Sequence, residues 1–143
     1  MVKNKRNESY LFDIFIAVNK IKKVISPYHN VKDLVHNFVA WDSVLRELNI
    51  ISIVGKKLQE EELIRKEYQL IIYFANSISN KIFYIDENLL WRVIKNNIDS
   101  FELEIIRHIK EIETTYKNEL IDIFINENYY LEFIVKKLRA LRD

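Results

Sequence analysis

From Tyr10 onward the apolar residues return at three- and four-residue steps. Leu11, Ile14, Phe15, Val18, Ile21 and Ile25 form one stripe, supplemented by Tyr10, Phe12 and Ala17. That spacing is one face of a helix. Ser9 stands where an N-cap would, its hydroxyl suited to the first orphan amides. Residues 1 to 8, with Lys3, Lys5 and Arg6, read as a solvated terminus that frays. Lys20, Lys22 and Lys23 fall near the end of the stripe, where cations suit the helix dipole better than they make a phosphate site. Pro27 terminates the element and SPYHN makes the turn.

The pattern is densest from Trp41 to Leu58. Trp41, Val44, Leu45, Leu48, Ile51, Gly55 and Leu58 share a face, and Ile50, Ile53 and Val54 widen it. Only a strip near Asp42, Arg46, Asn49 and Lys56 stays polar. A helix apolar over so much of its circumference is expected inside a bundle, with the other helices packed around it. Gly55, the chain's single glycine, lies on that face. It costs roughly 1 kcal/mol against Ala in mid-helix, so a close helix approach is expected there. Val31 to Phe38 reads as a short helix or angled turn leading in.

Beyond Leu58, QEEELIRKE is a charged, solvated run containing a connection. Tyr68, Ile71, Ile72, Ala75, Ile78 and Ile82 mark a helix from Tyr68 to about Lys81, with Tyr73, Asn76 and Asn80 together on another side. Asp86 and Glu87 supply a cap acceptor and a first-turn acid for a long helix. Leu90, Ile94, Ile98, Phe101, Ile105, Ile109 and Ile112 follow its face, with His108 at the boundary and Trp91 suited to core or to a dimer surface. Glu113 to Asp143 forms a final helical region through Leu120, Ile123, Phe124, Leu131, Ile134, Val135, Leu138 and Leu141. NEN at 126–128 is the place for a bend or break. Lys136, Lys137, Arg139 and Arg142 gather at its end.

The chain of 143 residues is 49% hydrophobic and 13% aromatic, enough for a full core. One Gly and one Pro leave few tight turns, which argues against many strands. The expected fold is therefore an all-α, up-and-down bundle of about five helices in a single domain, residues 1–143. With 22 basic and 21 acidic residues the net charge is +1, which gives no broad footprint for RNA or DNA. The lack of Cys excludes disulfides and thiolate chemistry. No stretch reads as a signal peptide or reaches the ~20 apolar residues of a membrane helix, so a cytoplasmic protein without membrane partners is expected.

No zinc-protease, P-loop, dinucleotide or nucleophile-elbow motif occurs. His29, His36 and His108 have no Glu three residues before them, so a di-metal bundle fails and no metal or cofactor is expected. His36 reads as a partly buried polar residue. Glu60, Glu61 and Glu62, and likewise Glu102 and Glu104, read as spread over a solvent face.

One resemblance rises above this background. Asp42 to Leu58, DSVLRELNIISIVGKKL, is similar to the central helix of HepT-like proteins of the HEPN superfamily, through Asp42, Val44, Arg46, Leu48, Ile50 and Ile51. Asn49, Ser52 and Ile53 depart from its pattern. Ile82 to Ile98, IFYIDENLLWRVIKNNI, resembles the family's Y-F-G-I-D turn and the helix after it. The likeness covers about residues 10–112, leaving 113–143 as a helical extension.

The resemblance implies a small helical bundle that forms a homodimer, a partner that is a minimal nucleotidyltransferase, and a toxin–antitoxin or phage-defence setting. Many such proteins are ribonucleases with an R-x(4-6)-H-x-Y motif. In it the Arg stabilises phosphate charge, the His is acid or base, and the Tyr receives AMP from the partner. Anchored on Phe83 to Asp86, these positions fall on Ala75, Asn80 and Ile82, with Asn76 alone retained from the flanking pattern. Asn exchanges no proton near neutral pH, which forfeits roughly 10²- to 10⁴-fold of rate. Ala75 has no phosphate donor. The expectation is a degenerate HepT-like protein with no catalytic residues, acting as a binding or regulatory partner, its dimer or partner surface including Ile82, Tyr84 and Trp91. Two readings stay open beside it: a ribonuclease using Tyr73, Tyr84 or Asn80, and a helical interaction scaffold.

Overall fold

The structure, a computed structural model, describes the backbone of residues 2–60 and 86–142, with side chains from Glu8 onward within those spans. Six helices are described: α1 Val2–Ile25, α2 Val31–His36, α3 Phe38–Glu60, α4 Glu87–Lys110, α5 Thr114–Glu127 and α6 Glu132–Arg139. No strand occurs among the described residues. The expected helix at 68–81 lies outside them.

The centre of the bundle is α1 rather than the helix holding Trp41. From Leu11 to Ile21 all but Asp13 and Lys20 are buried, and Phe12, Ile14, Val18 and Ile21 have no exposed surface. Asn19 is tolerated at this depth because its side-chain amide donates to the Phe15 carbonyl one turn back, at 2.8 Å. By contrast α3 is one-sided. Val44, Leu48, Ile51, Val54, Gly55 and Leu58 are buried, while Ile53 is 53% exposed and Trp41, Leu45 and Ile50 are only partly covered. Sequence alone favoured α3 because Ile50, Ile53 and Val54 widen its apolar face, yet Ile53 is left exposed and Ile50 only partly covered. The all-round apolarity that places a helix in the middle belongs to LFDIFIAV in α1.

Of the other described helices, α2 packs on α3 and α4, whereas α3, α4, α5 and α6 pack against α1. α3 is its most extensive partner and runs antiparallel to it: Lys20 acts on Glu47, while Lys57 Nζ sits 5.5 Å from the Tyr10 ring. α4 is also antiparallel. Lys22 reaches Asp99 and Glu102, and at the other end of α1 Glu8 acts on Tyr116, past the end of α4. α5 returns along α1, with Phe12 and Phe124 stacked at 5.1 Å and an interplanar angle of 11°. Burying such a pair contributes several kcal/mol, on the order of 3–5 for one ring truncated to Ala.

Helix ends explain the remaining differences. α1 starts at Val2, upstream of Ser9, since nothing between them breaks a helix. α2 stops at His36, and Asn37 separates it from α3 while donating to the Tyr28 hydroxyl at 2.8 Å. This short helix buries Leu34 alone, so His36 is exposed rather than partly buried. Asp86 caps α4 as expected, accepting from Leu89 N at 3.0 Å. Glu113 caps α5 through both carboxylate oxygens, which accept from Thr115 N and Tyr116 N. These bonds hold its carboxyl below the usual range.

The last region is two helices, broken within NEN. Asn128 ends α5, its backbone and side-chain amides both donating to the Phe124 carbonyl. The chain then folds back so that Arg142 pairs with Asp122. Within α5 the buried face is Leu120, Ile121 and Phe124, whereas Ile123 is 50% exposed. No helix among the described residues is long and apolar enough to cross a membrane.

Candidate functional site

Three helices enclose a cleft of about 420 Å³ beside the core. α1 contributes Asp13, Ile16, Ala17 and Lys20 at successive steps of one face. α3 supplies Glu47, Ile50 and Val54, and α5 closes the end with Phe124, Glu127 and the Asn128 cap. Ionisable groups thus occupy a pocket whose walls are largely aliphatic or aromatic.

Glu47 is the unusual member. It stands at steps of three and four from Val44 and Ile51, on the buried face of α3, and is only 7% exposed. It has neither a hydrogen bond nor an ion pair among the described residues, although it lines the cleft. Burial pushes its carboxyl above the usual range, and the Lys20 and Arg46 charges offset only part of that rise.

Asp13 is partly buried on the facing side of α1. Burial, reinforced by the negative charge of Glu127, raises its pKa from 3.8 to about 6. Like charges crowd this end of the cleft, and the apolar walls make solvation poor. Lys20 is its one internal cation among the described lining residues, and it makes neither an ion pair nor a hydrogen bond among them. The carboxylates are strung along the cleft instead of converging. No group of three or more His, Asp or Glu among the described residues is arranged to hold a metal ion.

A second cluster lies on α4 and corrects the solvent-face reading of Glu102 and Glu104, which are 6% and 4% exposed. Glu102 Oε1 accepts from Lys22 Nζ at 3.0 Å. Glu104 accepts from Arg107 Nε at 2.9 Å and lies 3.3 Å from His108 Nε2. Arg107 also reaches Glu111 at 2.9 Å. With the guanidinium engaged by two carboxylates, this arrangement neutralises a buried acid and leaves little for phosphate binding.

Of the sequence-derived site residues, Tyr73, Ala75, Asn76, Asn80, Ile82 and Tyr84 lie outside the described residues. Trp91 is described. It packs partly buried against the core, with Lys95 Nζ 4.8 Å from its ring centre. Sequence reasoning missed the cleft. The available signals were Asp13 inside an apolar run and Glu47 in register with the buried face of α3. No protein-family model, curated protein or solved structure matches this chain.

Proposed function

We propose that this chain is a HepT-like helical bundle that acts as a non-catalytic binding or regulatory partner in a nucleotidyltransferase-linked toxin–antitoxin or phage-defence module. It works as a homodimer in the cytoplasm. The observation that carries the reading is the residue set at the three motif positions: Ala75, Asn80 and Ile82 provide no phosphate clamp, no proton carrier and no acceptor for AMP. An all-helical bundle in which Asp42 to Leu58 lies within one long helix, and Asp86 opens the next described one, is compatible with it.

Purified protein incubated with structured and single-stranded RNA, with and without divalent metal, tests this reading. No cleavage above a buffer control is expected. Metal-independent cleavage abolished by Asn80→Ala or Tyr84→Phe would replace it with the ribonuclease reading. One observation favours the scaffold reading as second: Tyr129 and Tyr130, at the α5–α6 turn, are 77% and 67% exposed. Exposed aromatic pairs are common where proteins bind proteins. Loss of partner capture on Tyr129→Ser/Tyr130→Ser, with the dimer intact, would favour it.

A further inference from the structure

Glu47 combines three properties: deep burial, a place on a cavity wall, and no hydrogen-bond or ion-pair partner among the described residues. Its carboxylate opens onto the cleft, where the walls of Ile50, Val54 and Phe124 leave it poorly solvated. An ammonium entering the cleft supplies the donor and countercharge that this setting lacks. We propose that the cleft between α1, α3 and α5 binds an aliphatic di- or polyamine, whose ammonium groups pair with Glu47 and with Asp13 and Glu127 while its methylenes lie against Ile50, Val54 and Phe124.

The ligand class follows from the arrangement of the walls. Carboxylates come from three different helices, with apolar side chains between them. A single compact dication suits oxygens that converge on one point, and these do not. A chain with cations separated by methylenes matches charge to charge and hydrocarbon to hydrocarbon. Crowding of Asp13 by Glu127 adds to the attraction, because an entering ammonium relieves it. Lys20 acts as the internal competitor, since its own ammonium stands in the cleft and is felt by Glu47. The inference is independent of the proposed module role.

Calorimetric titration of the full chain with spermidine at pH 8, where Asp13 is ionised, tests the proposal. Saturable binding is expected. Glu47→Gln, which keeps shape and removes charge, should weaken it roughly tenfold, in line with a lost charge-assisted hydrogen bond. Lys20→Met should tighten it several-fold, because it removes the competing ammonium from the cleft. Circular dichroism confirms that each variant is folded, and Asp13→Asn provides a second weakening variant should Glu47→Gln unfold. Absence of saturable binding overturns the proposal. So does binding indifferent to all three substitutions, or binding that magnesium chloride displaces as effectively at equal charge.

Discussion

The ammonium of Lys22, in the last turn of α1, lies 3.0 Å from Oε1 of Glu102 and 2.8 Å from Oδ1 of Asp99, both on α4. Glu102 is only 6% exposed, and its second oxygen is buried without a hydrogen-bond partner among the described residues. Burial pulls the Lys22 ammonium down, but the hydrogen bonds to Asp99 and Glu102 and their charges outweigh it, so its pKa is raised. A raised lysine contributes stability that is present below its unfolded value and is lost only as the solution becomes strongly alkaline.

Breaking this pair from one side should therefore be worse than removing it altogether. Lys22→Met leaves a buried carboxylate unpaired and is expected to destabilise by about 3 kcal/mol. Lys22→Met combined with Glu102→Met should recover most of that loss, because two apolar side chains replace two desolvated charges. Urea denaturation of the four proteins checks the cycle. A double variant as unstable as the sum of its parts would show that the pair is not the unit.

Asp13 gives a prediction with a defined pH window. Its folded pKa of about 6 exceeds its ordinary 3.8, so between these values the folded chain binds more protons than the unfolded one. Stability then falls as pH rises through the window, the reverse of an ion-paired aspartate. The groups facing it are Lys20 on α1, Glu47 on α3 and Glu127 on α5, with Arg46 acting on Glu47. Asp13→Asn should stabilise at pH 7.5 by on the order of 1–2 kcal/mol, discounted for partial exposure. The gain should vanish near pH 4. Thermal melts at both pH values decide it, and an equal effect at both would remove titration as the cause.

These two carboxylates also show what was legible in the chain. Helix ends were legible at Pro27 after α1, at Asp86 before α4 and at the break within NEN, but not at Ser9, which α1 runs through. Helix rank was misread because α3 and α1 both carry wide apolar faces, and only the packing shows which of them is covered all round. Ile53 belongs to a rich stripe yet faces out. Glu102 and Glu104 were misread for a related reason, since charge was taken to mark solvent. Glu102 stands four residues after Ile98 and three before Ile105, so its angular position lies on the buried face, and only Lys22, 80 residues away in sequence, makes that position tenable. Such a pairing has no local signature. The cleft left local signals in Asp13 and Glu47, but its assembly from three helices has none.

Assembly is tested at Trp91. Its ring is partly buried, with Leu89 nearby in sequence 38% exposed, and the proposed HepT-like homodimer places the first turns of α4 at the shared surface. The chain is expected to sediment as a dimer at micromolar concentration, and Trp91→Glu to shift it toward monomer, since a two-fold axis presents each change twice. A wild-type monomer would remove the dimer from the proposal. A dimer unaffected by Trp91→Glu would move its interface elsewhere.

The proposed regulation can be tested by mass. Ile82 has no oxygen to accept AMP, so a partner nucleotidyltransferase cannot silence this chain at that position. Tyr84 is the nearest hydroxyl, two residues on, where the resemblance would have Gly. Tyr84 does not occupy the motif position that receives AMP in the resemblance, so the partner should bind without modifying the chain. Co-expression with a neighbouring nucleotidyltransferase, followed by co-purification and intact-mass measurement, is expected to give a complex at the unmodified mass. Introducing Ile82→Tyr in the same experiment should then allow one AMP to be added. An AMP on Tyr84 of the parent chain would mean that the switch has moved rather than vanished, and non-covalent regulation would be withdrawn.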